Sequence, residues 1–151
     1  MITVEYQYVR KGGRATVPPS LYALTQQEGS MKWYTVAIPQ WRKAKALGIE
    51  LFDITVKSGD QRFAPTPDVL WAYKRGEVTD EEYTRLYREK MHRQLLATPE
   101  AFEELLEGDA DKAVACYCTA GKFCHRHIYI EVMGEIAEDN GIPFEYCGEI
   151  V

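Results

Sequence analysis

Between Ala113 and Cys147 the chain spells a strand, a loop, a helix and a second strand, and this pattern restricts the fold more than any other feature. Ala113-Val114-Ala115-Cys116-Tyr117-Cys118 is a short apolar run suited to a strand buried on both faces. Thr119-Ala120-Gly121-Lys122 is a tight loop, Phe123 to about Asp139 reads as a helix, and Gly141 stops it. Pro143 to Cys147 returns as a strand. Strand, helix and strand in this order make a parallel pair, which has to be covered by helices.

The remaining segments fit around that unit. Ile2 to Val9 reads as a strand by its β-branched and aromatic content, and Ala15 to Val17 as the second arm of an N-terminal β-hairpin turning at Gly12-Gly13. Trp33 to Ile38 and Glu50 to Val56 are further strands. Thr66-Pro67 opens a helix that ends before Gly76. Thr79 and Glu82 form a capping box for a helix reaching about Ala97, and Thr98-Pro99 starts a short acidic helix ending near Gly108. Tyr83 and Tyr87, four residues apart, read as a core stripe. The fold class is therefore α/β: a single three-layer domain over residues 1–151, with a mostly parallel, Rossmann-like sheet and a hairpin and basic segment in residues 1–32. A length of 151 residues suits one domain. No apolar run approaches the roughly 18 residues of a membrane span, and Met1 to Arg10 lacks the apolar centre of a signal peptide. A cytoplasmic protein without a membrane partner is expected.

The net charge of -5 hides an asymmetry. Residues 1–48 hold seven Lys or Arg against two acids, a balance of +5, so the rest holds 11 basic and 21 acidic groups, a balance of -10. Tyr6, Tyr8, Arg10, Lys11, Arg14, Trp33, Trp41, Arg42, Lys43 and Lys45 interleave aromatics with charge, the composition of a single-stranded nucleic-acid surface. A non-catalytic nucleic-acid or protein-binding module is thus the second functional reading.

The first reading rests on Cys116, Cys118, Cys124, His125 and His127, which fall within twelve residues. This window lies at the carboxyl end of a strand and the start of a helix, where open α/β sheets bind ligands. Unpaired amides of the helix N-terminus, Gly121, Lys122 and Arg126 suit a phosphate or carboxylate. A phosphatase-type loop needs an arginine six residues after its cysteine, but Cys124 stands six after Cys118. A Walker loop lacks its upstream glycine and its Ser/Thr. No C-x-x-C is present, and His125 and His127 project about 200° apart on a helix, so no metal and no cofactor is expected, and a zinc-stabilised cluster is the third reading. Cys124 is the candidate nucleophile, its thiolate favoured by the helix N-terminus and basic neighbours. His125 is the candidate proton carrier, while Cys116 and Cys147 read as small strand hydrophobes.

At this window the chain resembles domain of unknown function family 488, the YeaO-like group. That family's signature is an apolar strand ending in Cys, a short loop and Cys-His-Arg at a helix start, matched by Val114-Ala115-Cys116-Tyr117 and Cys124-His125-Arg126. Phe63-Ala64-Pro65-Thr66-Pro67, Ala72 to Thr79 and Glu81-Glu82-Tyr83 match a second family segment, and the loop around Cys118 is similar to phage or mobile-element versions. Two departures stand out: Asp53-Ile54-Thr55 lacks the family's arginine, which Lys57 or Arg62 would replace, and Cys118 stands where relatives carry an acid. The resemblance implies an α/β fold and this site location, and leaves the reaction open. The expected site has Cys124, His125 and Asp53 as chemical groups. Cys118, Gly121, Lys122, Arg126 and Arg62 would hold an anionic, nucleotide-like small molecule, with the Ser58–Arg62 loop closing over it.

Overall fold

The structure, a computed structural model, describes residues 31–118 and 121–151. Four strands form one parallel sheet: β1 (Lys32–Ala37), β2 (Glu50–Asp53), β3 (Lys112–Cys116) and β4 (Glu145–Ile150). Their order is β2-β3-β1-β4. Five helices connect them: α1 (Trp41–Ala46), α2 (Pro67–Lys74), α3 (Asp80–Ala97), α4 (Pro99–Leu106) and α5 (His125–Asp139). The expected α/β class and the parallel pairing are therefore present, whereas the N-terminal hairpin lies outside the described residues.

The two faces of the sheet are covered unequally. One carries the main core, where Trp33, Ile54, Phe63, Phe102, Val114, Tyr129 and Met133 pack with the α3 residues Tyr83, Tyr87 and Met91. Tyr83 and Tyr87 are core residues as their spacing predicts, and the Tyr87 hydroxyl donates to the Phe63 carbonyl at 2.6 Å. The other face carries a small cluster of Val36, Ala44, Ile49, Ala113, Ala115 and Ile150 beneath α1. Alternation along β3 explains the split, since Ala113 and Ala115 face one way and Val114 and Cys116 the other. Among the described residues no helix is long and apolar enough to cross a membrane.

Local chemistry sets the boundaries. Thr79 Oγ1 accepts the Glu82 amide at 3.1 Å and caps α3, as the sequence predicts. Thr66 and Thr98 precede prolines but make no side-chain cap bond, so the proline alone marks those starts. Strand β2 stops at Asp53 rather than Val56 because Asp53 folds the chain back on itself. Its Oδ1 accepts the Thr55 amide at 2.8 Å, and its carbonyl accepts the Asp60 amide at 2.9 Å. Strand β4 begins two residues later than expected and runs on to Ile150. A bulge sits opposite β1: Trp33 pairs with Tyr146 but Thr35 pairs with Glu149. Gly148 supplies the positive φ of 110° within it. The bulge turns Glu149 toward the face on which Thr35 lies, and that places a carboxylate at the site.

Candidate functional site

Parallel strands bring their carboxyl ends to one edge, and here Asp53, Cys116 and Ile150 end three of them. The polypeptide leaves β3 at Cys116, passes through the loop and enters α5, whose N-cap residue is Cys124. The helix start is therefore set down beside the strand it follows. Cys116 Sγ, Cys124 Sγ and one His125 nitrogen all lie within 4.8 Å of one another, and all three residues are buried. The structure joins the two sulfurs in a disulfide across Cα atoms 7.8 Å apart, wider than the roughly 4.4–6.8 Å that disulfides usually span.

His125 is held by its far nitrogen. Its Nε2 lies 2.8 Å from the Ile54 carbonyl, which can only accept, so Nε2 carries the proton. Nδ1 is then a lone pair, 3.8 Å from Cys124 Sγ. Burial pushes the His125 pKa down to about 4, against the pull of the Ile54 carbonyl, so the ring is neutral near pH 7. The Tyr87 ring packs edge-on to it at 5.6 Å.

Arg126 is fully buried, with 0% side-chain exposure. Nε and one terminal nitrogen grip Glu149 at 3.2 and 2.7 Å, a two-bond fork. The other terminal nitrogen donates to Cys116 Sγ at 2.9 Å and to the Cys118 carbonyl at 3.0 Å. Glu149 also accepts from Thr35 Oγ1 at 2.5 Å, and the Tyr146 hydroxyl reaches Thr35 at 2.7 Å. Burial pushes the Glu149 carboxyl up, but the bonds from Arg126 and Thr35 outweigh it and hold the pKa below the usual value. A guanidinium thus touches the Cys116 sulfur directly.

The other expected residues lie around this centre with different roles. Gly121 and Lys122 are exposed on the loop, and Gly121 takes a positive φ of 84°. Asp53 is occupied by its own turn, since Oδ2 accepts from Ser58 Oγ at 2.6 Å. Arg62 forms a two-bond pair with Asp60 at 3.0 and 2.7 Å, so its charge is already matched. The Ser58–Arg62 segment, expected to be a flexible flap, is a tied turn instead. Gln61 Nε2 bonds the carbonyls of Thr55, Val56 and Gly59. A Cβ on Gly59 would stand 2.4 Å from Asp53 O and Thr55 N, so only glycine fits.

Three participants escaped sequence reasoning. Cys116 reads as a strand hydrophobe, although its place at a strand's carboxyl end was the available signal. Glu149 comes in through the β4 bulge, which leaves no mark except Gly148. Lys90 Nζ donates to the carbonyls of Gln61 and Ala64, and its charge reaches His125 across the main core. The aromatic-basic surface also looks different in the fold. Trp33 is 1% exposed and packs against Tyr129 and Phe144, so it cannot stack a base. Trp41 is partly exposed with the Arg42 guanidinium 4.6 Å from its ring centre, and Tyr6 to Arg14 lie outside the described residues.

A family model described as the active DUF488-N3 subclade, DUF488-N3a, matches residues 25–137. The chain belongs to the DUF488 family. No curated protein and no solved structure matches it. The DUF488 match takes in Asp53, Cys116, Cys124, His125 and Arg126, and ends before the strand that carries Glu149.

Proposed function

We propose that this DUF488 protein takes an anionic small molecule, a nucleotide or nucleotide-derived group, at the carboxyl edge of the sheet and acts on it through the Cys116–Cys124–His125 centre. The observation that carries the reading is the Arg126 guanidinium 2.9 Å from Cys116 Sγ in a buried setting. A buried thiol is ordinarily pushed toward its neutral form, but in the reduced protein the N–H that Arg126 donates to this sulfur works against that. In the reduced protein Cys116 is then the thiolate. Cys124, at the N-cap of α5, is the second sulfur, and the His125 Nδ1 lone pair is the proton acceptor beside it. Arg126 acts as a positioning residue for sulfur rather than as the anion's clamp, because Glu149 already matches its charge. The anion's partners are then Lys122, the exposed backbone at Gly121 and the first amides of α5. Description of the matching subclade as active supports a reaction over storage or scaffolding.

Protection from alkylation tests this reading. Reduced, chelator-treated protein is alkylated with and without a panel of nucleotides and inorganic phosphate, with mass-spectrometric assignment of each cysteine. Slower modification of Cys116 and Cys124 by one nucleotide class, lost in Lys122→Ala, is the expected result. Equal rates with every anion, and no calorimetric binding, would contradict it.

A further inference from the structure

Two features of the centre are left unused by a lone thiolate: in the reduced protein Cys116 and Cys124, bonded to each other in the structure, offer two adjacent buried sulfurs, and the His125 lone pair lies beside them. We propose that Cys116 Sγ, Cys124 Sγ and His125 Nδ1 bind a thiophilic divalent cation of the zinc class, with one coordination position left open for an oxygen of the anionic ligand.

The geometry fits such an ion. Bonds of about 2.3 Å to sulfur and 2.0–2.1 Å to nitrogen, at tetrahedral angles, set donor atoms roughly 3.3–3.8 Å apart. Cys124 Sγ and His125 Nδ1 are 3.8 Å apart. In the reduced protein the Cα atoms of Cys116 and Cys124, 7.8 Å apart, leave the two sulfurs, bonded to each other in the structure, room to separate around an ion. His125 has the outer contact typical of a metal-ligating imidazole: Nε2–H donates to the Ile54 carbonyl, which fixes the tautomer and ring plane.

Charge and donor type point the same way. Two buried thiolates would be costly alone, but a divalent cation cancels both, and Arg126 is cancelled by Glu149. The Arg126 N–H···Sγ bond is of the kind that tempers a metal thiolate. Two sulfurs and an imidazole select zinc-like ions over magnesium or calcium. No fourth histidine, cysteine or carboxylate among the described residues joins the group. Sites with three protein ligands keep the fourth position for water or substrate. His127 stays outside, half-exposed and 3.9 Å from Glu149, as its helical position requires. Only the occupant of the open position rests on the anion reading above; the three-donor site stands without it.

Cobalt(II) is the probe. Reduced, chelator-treated full-length protein is titrated with cobalt(II) and then zinc(II) while thiolate-to-cobalt charge-transfer absorption is followed. We expect one cobalt per chain with an intense thiolate band, displaced by zinc. Cys116→Ser, Cys124→Ser and His125→Gln should each weaken binding at least tenfold, while Cys118→Ser and Cys147→Ser leave it unchanged. Zinc should also shield Cys116 and Cys124, but not Cys118 and Cys147, from alkylation in the wild type, a readout that needs no variant to fold. Absence of the band and of zinc shielding, or a band that survives loss of both cysteines, would overturn the site. Adding the protecting nucleotide to cobalt protein separates the two ideas. A perturbed spectrum supports both; an unperturbed one keeps the metal and removes the anion from it. Protection by nucleotide without any metal binding keeps the anion reading and defeats the metal site.

Discussion

Two arginine–glutamate clusters on α5 use the same chemistry with opposite consequences. Arg88 of α3 reaches Glu131 and Glu135 at 3.0–3.1 Å, with all three side chains at least 36% exposed. Arg126 reaches Glu149 at 2.7 Å with 0% and 17% exposure. The exposed cluster ties α3 to α5 and is weakened by solvent and salt. The buried pair holds charge in a place where charge is costly, and the remaining terminal nitrogen is spent on sulfur and a loop carbonyl. The buried charge is held against a sulfur, and the exposed one is not.

Breaking the buried pair should have the largest effect. Arg126→Met leaves Glu149 unmatched and should cost about 3–5 kcal/mol in denaturant unfolding. The double variant Arg126→Met, Glu149→Leu should recover most of it, because both charges leave together; equal losses in the two would make the comparison wrong. Next comes acid. His125 has its folded pKa lowered to about 4 from 6.5, so the unfolded state binds the extra proton first. Its contribution is complete above pH 6.5 and is lost as pH falls toward 4, about 3 kcal/mol in all. Unfolding followed between pH 7 and 4 should show this slope, and His125→Gln should flatten it.

A smaller effect tests the bulge that delivers Glu149. Gly148→Ala meets no neighbour, yet its φ of 110° disfavours any side chain, so a loss of about 1–2 kcal/mol is expected in thermal or denaturant melts. The same variant should make Cys116 less acidic if Glu149 and Arg126 move together. Arg88→Ala should be smallest, within about 1 kcal/mol and diminishing with added salt, with no change in cysteine reactivity.

How much of this was readable in advance differs between backbone and site. Periodicity and punctuation revealed the β3–α5–β4 unit and the Thr79 cap, because these depend on neighbours in sequence. Cys124, His125 and Arg126 were legible as a group for the same reason. Their contacts were not, since each is made to an atom far from it along the chain: Ile54 O for His125, Glu149 for Arg126, Cys116 for Cys124. Arg126 looked like a free cation for an anion because Glu149 is 23 residues away and arrives only through a bulge. Asp53 looked like a free base because its capture by Thr55 and Ser58 is a turn geometry, not a motif.

The central claim is that in the reduced protein, with the Cys116–Cys124 disulfide open, Arg126 keeps Cys116 as a buried thiolate. The pH dependence of Cys116 alkylation in reduced, metal-free protein, resolved by mass spectrometry, tests it most directly. Reaction with an apparent pKa well below the reference of about 8.5 is predicted. A Cys116 that titrates at or above that reference, or that reacts only once the chain unfolds, would contradict the account.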